Sequence, residues 1–191
     1  MRNTWLLPCL VLGTLALPGC YESLTDIATP DTLVFDADLL GDYTAADPAT
    51  GRLTLGKGPE KSYAYRQYDE RGVLANEGKL WVVKLGDETF YQVSVDGYGT
   101  TGGKPVYAVG RLRVEGKPGE KTLTGYAFKS EEALFGDALV KSEEYEHVEG
   151  GERKKSRALS MPPEKLQAYL TVRAGEMTEP TLKFERVRPR N

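Results

Sequence analysis

Gly97-Tyr98-Gly99-Thr100-Thr101-Gly102 spells G-x-G-x-x-G behind a strand-like run. That spacing cradles a dinucleotide pyrophosphate when a helix begins at the loop. Here Gly103-Lys104-Pro105 leads into Val106-Tyr107-Ala108-Val109, which reads as another strand, so there is no helix N-terminus to receive the phosphate. The motif reads as a glycine-rich hairpin loop. Gly51 to Lys57 begins the P-loop pattern G-x-x-x-x-G-K, but residue 58 is Gly where the Mg²⁺-binding Ser or Thr belongs. Its middle, Arg52-Leu53-Thr54-Leu55, has the period of a strand.

His147 is the only histidine, and it sits among Glu143, Glu144, Glu146 and Glu149. Zinc prefers more His or Cys ligands, and hard cations need oxygens converging from a loop. On a strand, Glu144 and Glu146 face one way and Glu143, Tyr145 and His147 the other, so the cluster divides and reads as a solvated charged hairpin. Asp36, Asp38 and Asp42 lack the spacing and closing Glu of a calcium loop. No G-x-S-x-G occurs, and the single His has no recognisable nucleophile partner. A paired-carboxylate enzyme is set by the fold and not by local spacing, so 28 acidic residues point to no particular pair. The expectation is a non-enzymatic protein with no catalytic residue, metal or cofactor.

The thiol of Cys20 carries the most specific chemistry. Arg2 precedes an apolar run from Trp5 to Leu17, a charged n-region and an h-region shorter than the roughly 20 residues of a membrane span. The run closes on Leu17-Pro18-Gly19-Cys20, which resembles the bacterial lipobox. That resemblance implies a diacylglyceryl thioether on Cys20, cleavage before it, and acylation of the new amino group. Residues 1–19 are thus read as a cleaved signal peptide. Several acyl chains give durable anchoring, since each buried CH₂ contributes about 0.8 kcal/mol. Cys9 leaves with the signal segment, so the mature chain holds no disulfide and no unmodified thiol.

The balance of 25 basic against 28 acidic residues gives a net charge of −3. Mild acidity excludes the concentrated basic face that nucleic acid needs, and equally a polybasic grip on anionic lipid. Eleven Tyr and 21 Gly, against 5 Phe and 3 Met, lean toward β structure. Residues 20–31 read as the lipidated Cys and a flexible tether of roughly 18 Å, and residues 32–191 as a single β-rich domain.

Within that domain the period is two. Strands are expected at Leu39–Tyr43, Arg52–Leu55, Lys61–Tyr68, Lys79–Leu85, Phe90–Val95, Val106–Val114, Lys121–Phe128 and Leu182–Val187. Trp81, Val83 and Leu85 share a face, as do Tyr91, Val93 and Val95. Ser130 caps a short helix ending at Gly136. Pro162 to Ala174 predicts a second helix with Leu166, Tyr169 and Leu170 as its apolar stripe. Between them Val140 to Leu159 reads as a charged hairpin turning at Gly150-Gly151, with Glu146 opposite Lys155 and Val148 opposite Arg153. The fold class is mainly β, an antiparallel meander or small barrel with one short helix and one C-terminal helix.

The order of features is similar to a group of bacterial lipoproteins with a lipocalin-like small β-barrel. The residues that carry it are the lipobox, Asp38-Leu39-Leu40-Gly41-Asp42-Tyr43, Gly78 to Gly86, Met161 to Leu170, and Phe184 to Val187. Lipocalins open on Gly-x-Trp, and this chain has Gly41-Asp42-Tyr43. The resemblance implies an envelope-anchored β domain. Tyr21 follows Cys20 where an Asp would resemble an inner-membrane retention signal, which favours the outer membrane.

Two functions are expected from this. One is an interaction or structural module that holds another envelope protein near the membrane, for which the charged hairpin is suited. The other is a binder of a small apolar or amphipathic ligand, with Tyr63, Tyr65, Tyr91, Tyr107 and Tyr126 either lining the site or serving as ordinary core.

Overall fold

Alternating apolar residues on short, glycine-punctuated segments bury one face each, and a curved sheet that closes on itself does so without leaving edges. The computed structural model describes residues 21–95, 100–101, 104–149 and 152–188. Two short strands come first, β1 (Tyr21–Ser23) and β2 (Leu33–Val34). A 3₁₀ turn at Ala37–Leu39 leads into β3 (Gly41–Ala45), β4 (Arg52–Lys57), β5 (Tyr63–Tyr68), β6 (Leu74–Leu85) and β7 (Glu88–Val95). A two-stranded pair, β8 (Thr100–Thr101) and β9 (Lys104–Pro105), precedes β10 (Tyr107–Glu115) and β11 (Thr122–Ala127). Helix α1 (Glu131–Phe135), the hairpin of β12 (Ser142–Glu149) and β13 (Glu152–Leu159), and helix α2 (Pro163–Arg173) follow, before the last strand, β14 (Glu179–Arg186).

β3, β4, β5, β6, β7, β10, β11 and β14 pair antiparallel in that order. β14 then pairs back onto β3, with Phe184 opposite Ala45, so the result is a closed eight-stranded barrel. The mainly β, small-barrel expectation therefore holds. The expected first strand is divided: Ala37–Leu39 is a 3₁₀ turn capped by the Asp36 carboxylate, and the strand proper starts at Gly41. Gly41 has φ +144°, and its Cα lies under the Arg186 guanidinium, where a side chain would crowd that group.

β3, β4 and β5 alternate buried with more exposed residues, whereas parts of β6, β7, β10 and β11 bury both faces. Leu80 and Val82 of β6 join an inner cluster with Leu53, Tyr65 and Phe184. Val83 and Leu85, with Trp81 packed beside them, join an outer cluster with Phe90, Ile27 and the α2 residues Leu166 and Leu170. That double cover explains why Leu80 to Val83 is unbroken by a polar residue. Helix α2 starts one residue later than expected, with Pro162 at its N-cap, and its buried stripe is the expected Leu166, Tyr169 and Leu170. Ser130 accepts the Ala133 N–H at 3.1 Å and caps α1.

The twofold fork in β10 accounts for the remaining sheet. Residues 111–115 pair with β11, whereas Tyr107 to Val109 pair on the same side with β1. β13 continues beyond β1, parallel to it at Ser23 and Leu159, and β12 forms the outer strand. In the hairpin Glu146 lies opposite Lys155 and Val148 opposite Arg153, the expected register.

Residues 21–31 differ from the expected loose tether. The Tyr21 hydroxyl donates to the Phe128 carbonyl at 2.7 Å. Ile27 is fully buried, its N–H donates to Gln92 Oε1 at 2.7 Å, and its carbonyl accepts from Gln167 Nε2 at 2.9 Å. The Thr25 hydroxyl donates to the Met161 carbonyl at 2.7 Å. Tyr21 and Thr25 spend their hydroxyls on carbonyls of other elements, and Ser23 and Asp26 bond backbone groups within the segment, so a strap has the composition of a linker.

Candidate functional site

The barrel interior begins at its closed end. There the 3₁₀ turn lies across the strands, and Arg186 holds it by donating from Nη1 to Asp38 O and from Nη2 to Leu40 O, both at 2.7 Å. The Tyr43 hydroxyl donates to Leu39 O at 2.9 Å. Phe35 stacks on Tyr63 at 5.0 Å between ring centroids, and the Tyr63 hydroxyl bonds the Asp36 backbone. Arg186→Met is expected to cost about 1.5–3 kcal/mol, the range for hydrogen bonds to a charged donor, read as a lower urea midpoint. An unchanged midpoint would show that the turn is held by packing alone.

Burial pushes the Tyr43 phenol up to about 12, against a partial opposing pull from Arg186, and burial also raises Tyr63. A raised phenol pKa leaves stability unaffected below the unfolded value near 10 and removes it as pH climbs from there toward 12. For Tyr43 alone the loss across that window is about 2 kcal/mol. Urea midpoints measured from pH 8 to 12 should therefore fall above pH 10, and Tyr43→Phe should flatten the fall. A parallel fall in that variant would assign the effect to other groups.

Beyond the turn lies a cavity of about 60 Å³. Leu53, Leu80, Leu112, Leu123, Val93 and Phe184 make most of its wall, Tyr65, Gln67 and Tyr91 also line it, and the wall is almost wholly apolar. Gln67 Oε1 accepts from Asn76 Nδ2 at 3.4 Å. One water needs about 10–15 Å³ by such a measure, and an apolar cavity of about 150 Å³ holds benzene. The interior is thus occupied chiefly by its own side chains.

Two glycines seat the Tyr91 ring. A Cβ at Gly110 would lie 2.5 Å from the Tyr91 hydroxyl oxygen, and one at Gly125 would lie 3.2 Å from it. Gly110→Ala is expected to destabilise by about 1–3 kcal/mol through overpacking, and Tyr91→Leu in the same chain should recover most of that. Failure of the second change to compensate would place the strain in the β10 backbone. Of the five tyrosines proposed for lining, only Tyr65 and Tyr91 do so. Tyr63 belongs to the closed end. Tyr107 and Tyr126 pack on the outer cluster, Tyr107 edge-on to Trp81 at 6.3 Å.

A second concavity, of about 450 Å³, lies on the outside between α2 and the segment after α1. Met161, Ala168 and Tyr169 contribute to it, with Asp137, Lys165 and Arg173 as polar groups. Arg173 pairs with Asp137 at 3.6 Å and with Glu176 at 2.8 Å. Leu139 and Val172 also line it, and at 76% and 82% exposure they are the most exposed large hydrophobic side chains among the described residues. Nothing in the period of two or of 3.6 singled them out. For Leu139 the sequence signal was only an apolar Ala138-Leu139 between the expected short helix and the expected hairpin.

The chemical motifs scatter. Gly97, Tyr98, Gly99 and Gly102 lie outside the described residues, and Thr100–Thr101 form β8. The stretch that begins a P-loop is β4, preceded by Gly51 with φ +75°. His147 is buried beside Tyr145, with ring centroids 5.4 Å apart, while Glu143, Glu144 and Glu146 are exposed. Asp36 accepts from the Asp38 N–H at 2.9 Å, and Asp42 accepts from the Thr54 hydroxyl at 2.7 Å. Among the described residues no three His, Cys, Asp or Glu side chains come together as a metal site. Cys20 lies outside the described residues, one position before β1. No family model, curated protein or solved structure matches this chain.

Proposed function

We propose that the protein is a lipoprotein of the bacterial cell envelope, anchored through Cys20. On this reading it is a non-enzymatic interaction module that holds another envelope protein close to its membrane. The supporting observation is the contrast between a barrel interior reduced to about 60 Å³ and an outer sheet extended by β1, β13 and β12. On the β12–β13 hairpin the acids Glu143, Glu144 and Glu146 occupy the outermost strand, and Arg153, Lys155 and Arg157 the next. All six are exposed. Charge of both signs on a short ribbon gives orientation and rate to an encounter more than raw affinity. The envelope side is the outer membrane, by the Tyr21 position after Cys20.

The test is photocrosslinking in cells, with a photoreactive residue at Glu144 or Glu146 and, as control, at Lys57 on the far side of the barrel. A discrete adduct from the hairpin positions alone is the expected result. Adducts equal to those of the control would overturn the hairpin as the contact.

The second reading, a binder of a small apolar ligand, draws on one specific feature. The cavity wall is almost wholly apolar, leucine and valine side chains with Phe184, Tyr65 and Tyr91, which suits a small apolar ligand. Native mass spectrometry of residues 21–191 from a bacterial periplasm tests it. A stoichiometric small molecule lost on denaturation supports it, and a clean apo mass in the presence of envelope lipid extract removes it.

A further inference from the structure

The groove between α2 and the segment after α1 needs an occupant, and the start of β1 indicates which. Consecutive Cα atoms are about 3.8 Å apart, so Cys20 sits one such step from Tyr21. Tyr21 has no slack, since it is buried, paired with Val109 and bonded through its hydroxyl to Phe128. Its ring meets Phe128 at 5.5 Å and Phe135 at 6.4 Å. Phe128 in turn meets Tyr169, a groove residue, at 6.2 Å. Phe135 ends α1, four positions before Leu139. Acyl chains on Cys20 would therefore leave the domain beside this face, with no tether to swing it away from the bilayer.

The face also has the composition of an interfacial surface. Leu139 and Val172 project from it, Lys165 is exposed at the groove, and the Arg157 guanidinium stands 5.6 Å above the Phe135 ring. Aliphatic side chains next to cations suit the boundary between acyl chains and headgroups. We infer that this groove face lies against the bilayer that holds the Cys20 lipid, with Leu139 and Val172 in the acyl layer. The inference rests on the lipoprotein reading and adds to it an orientation. The barrel lies on its side, β10 and α2 toward the membrane, and β4, four strands from β10 in either direction round the barrel, toward the aqueous phase.

Single cysteines carrying an environment-sensitive fluorophore test it in the full lipidated chain, whose Cys20 thiol is already blocked. The variants are Leu139→Cys, Val172→Cys and, on β4, Lys57→Cys, reconstituted in phosphatidylethanolamine–phosphatidylglycerol vesicles. Bromine-bearing acyl chains in the vesicles should extinguish most of the emission at 139 and 172 and leave that at 57 unchanged. Emission at 139 and 172 indistinguishable from 57, on a chain whose intact mass includes the lipid, overturns the orientation alone. In that outcome a disulfide between two Leu139→Cys chains would assign the groove to a second copy. A mass lacking the lipid removes the lipoprotein reading and this inference with it.

Discussion

Phe90→Ala is expected to lower stability by about 3–5 kcal/mol, the cost of truncating a fully enclosed aromatic side chain. Phe90 has no exposed surface, and it points outward from β7 while its neighbours Tyr91 and Val93 point into the barrel. It belongs to the outer cluster with Val83 of β6, Ile27 of the strap, and Leu166 and Leu170 of α2. Those partners come from three separate segments, each fixed by other contacts, so the space left behind cannot close fully. Residues 21–191 hold one tryptophan, Trp81, which packs against the same cluster and serves as the reporter in that chain. Urea unfolding followed by Trp81 emission should show a single transition at a lower midpoint. A loss below about 1 kcal/mol would mean that α2 and the strap are an appendage to a self-sufficient barrel. Two separate transitions would mean that the outer layer unfolds as its own unit.

That outer layer marks the boundary of what the sequence made legible. β6 and β7 could be placed from the alternation around Trp81 and Tyr91, and the β12–β13 register from the opposition of Glu146 to Lys155. Both depend on neighbours close in the chain. Helix α2 was legible for the same reason, since Leu166, Tyr169 and Leu170 repeat at helical spacing within one segment. The strap was not. Three residues of β1 carry no period, and Tyr21 is held by Val109 and Phe128, both far away in sequence. Barrel closure likewise rests on Phe184 meeting Ala45, a pairing that spans nearly the whole domain.

The interior was legible only by face. Tyr63 shares a face with Tyr65 and Tyr91 with Val93, as their alternation indicates, but phase does not say which face is inward or how much room remains between them. That depends on Gly110 and Gly125, which let the Tyr91 ring cross toward β10 and β11. The groove was the least legible feature. Leu139 and Val172 are exposed because α2 turns its stripe inward and leaves Val172 outside it, while Leu139 lies on the connection into β12. Neither position differs in type from an ordinary core residue.

Cys20→Ser is expected to abolish membrane attachment, moving the protein almost wholly from the membrane to the soluble fraction. The argument combines sequence and strap. Leu17-Pro18-Gly19-Cys20 supplies a thiol at the position where a thioether would form, and an oxygen nucleophile cannot form one. Among the described residues no helix is long and apolar enough to cross a membrane, and the chain's net charge of −3 gives no polybasic attraction to anionic lipid. Leu139 and Val172 are two aliphatic side chains, far fewer CH₂ groups than two or three acyl chains, so on the proposed reading the lipid would retain the protein and the groove face would only orient it. Cys9→Ser is the control, since Cys9 lies within the apolar run from Trp5 to Leu17 and the substitution should leave fractionation unchanged. Fractionation of both variants, with intact masses of the membrane-bound and soluble forms, makes the measurement. If the Cys20→Ser chain stays on the membrane at its unlipidated, cleaved mass, attachment resides in the domain itself, and the groove face becomes the principal contact. If it stays there at its full uncleaved mass, the apolar run from Trp5 to Leu17 is acting as the anchor instead.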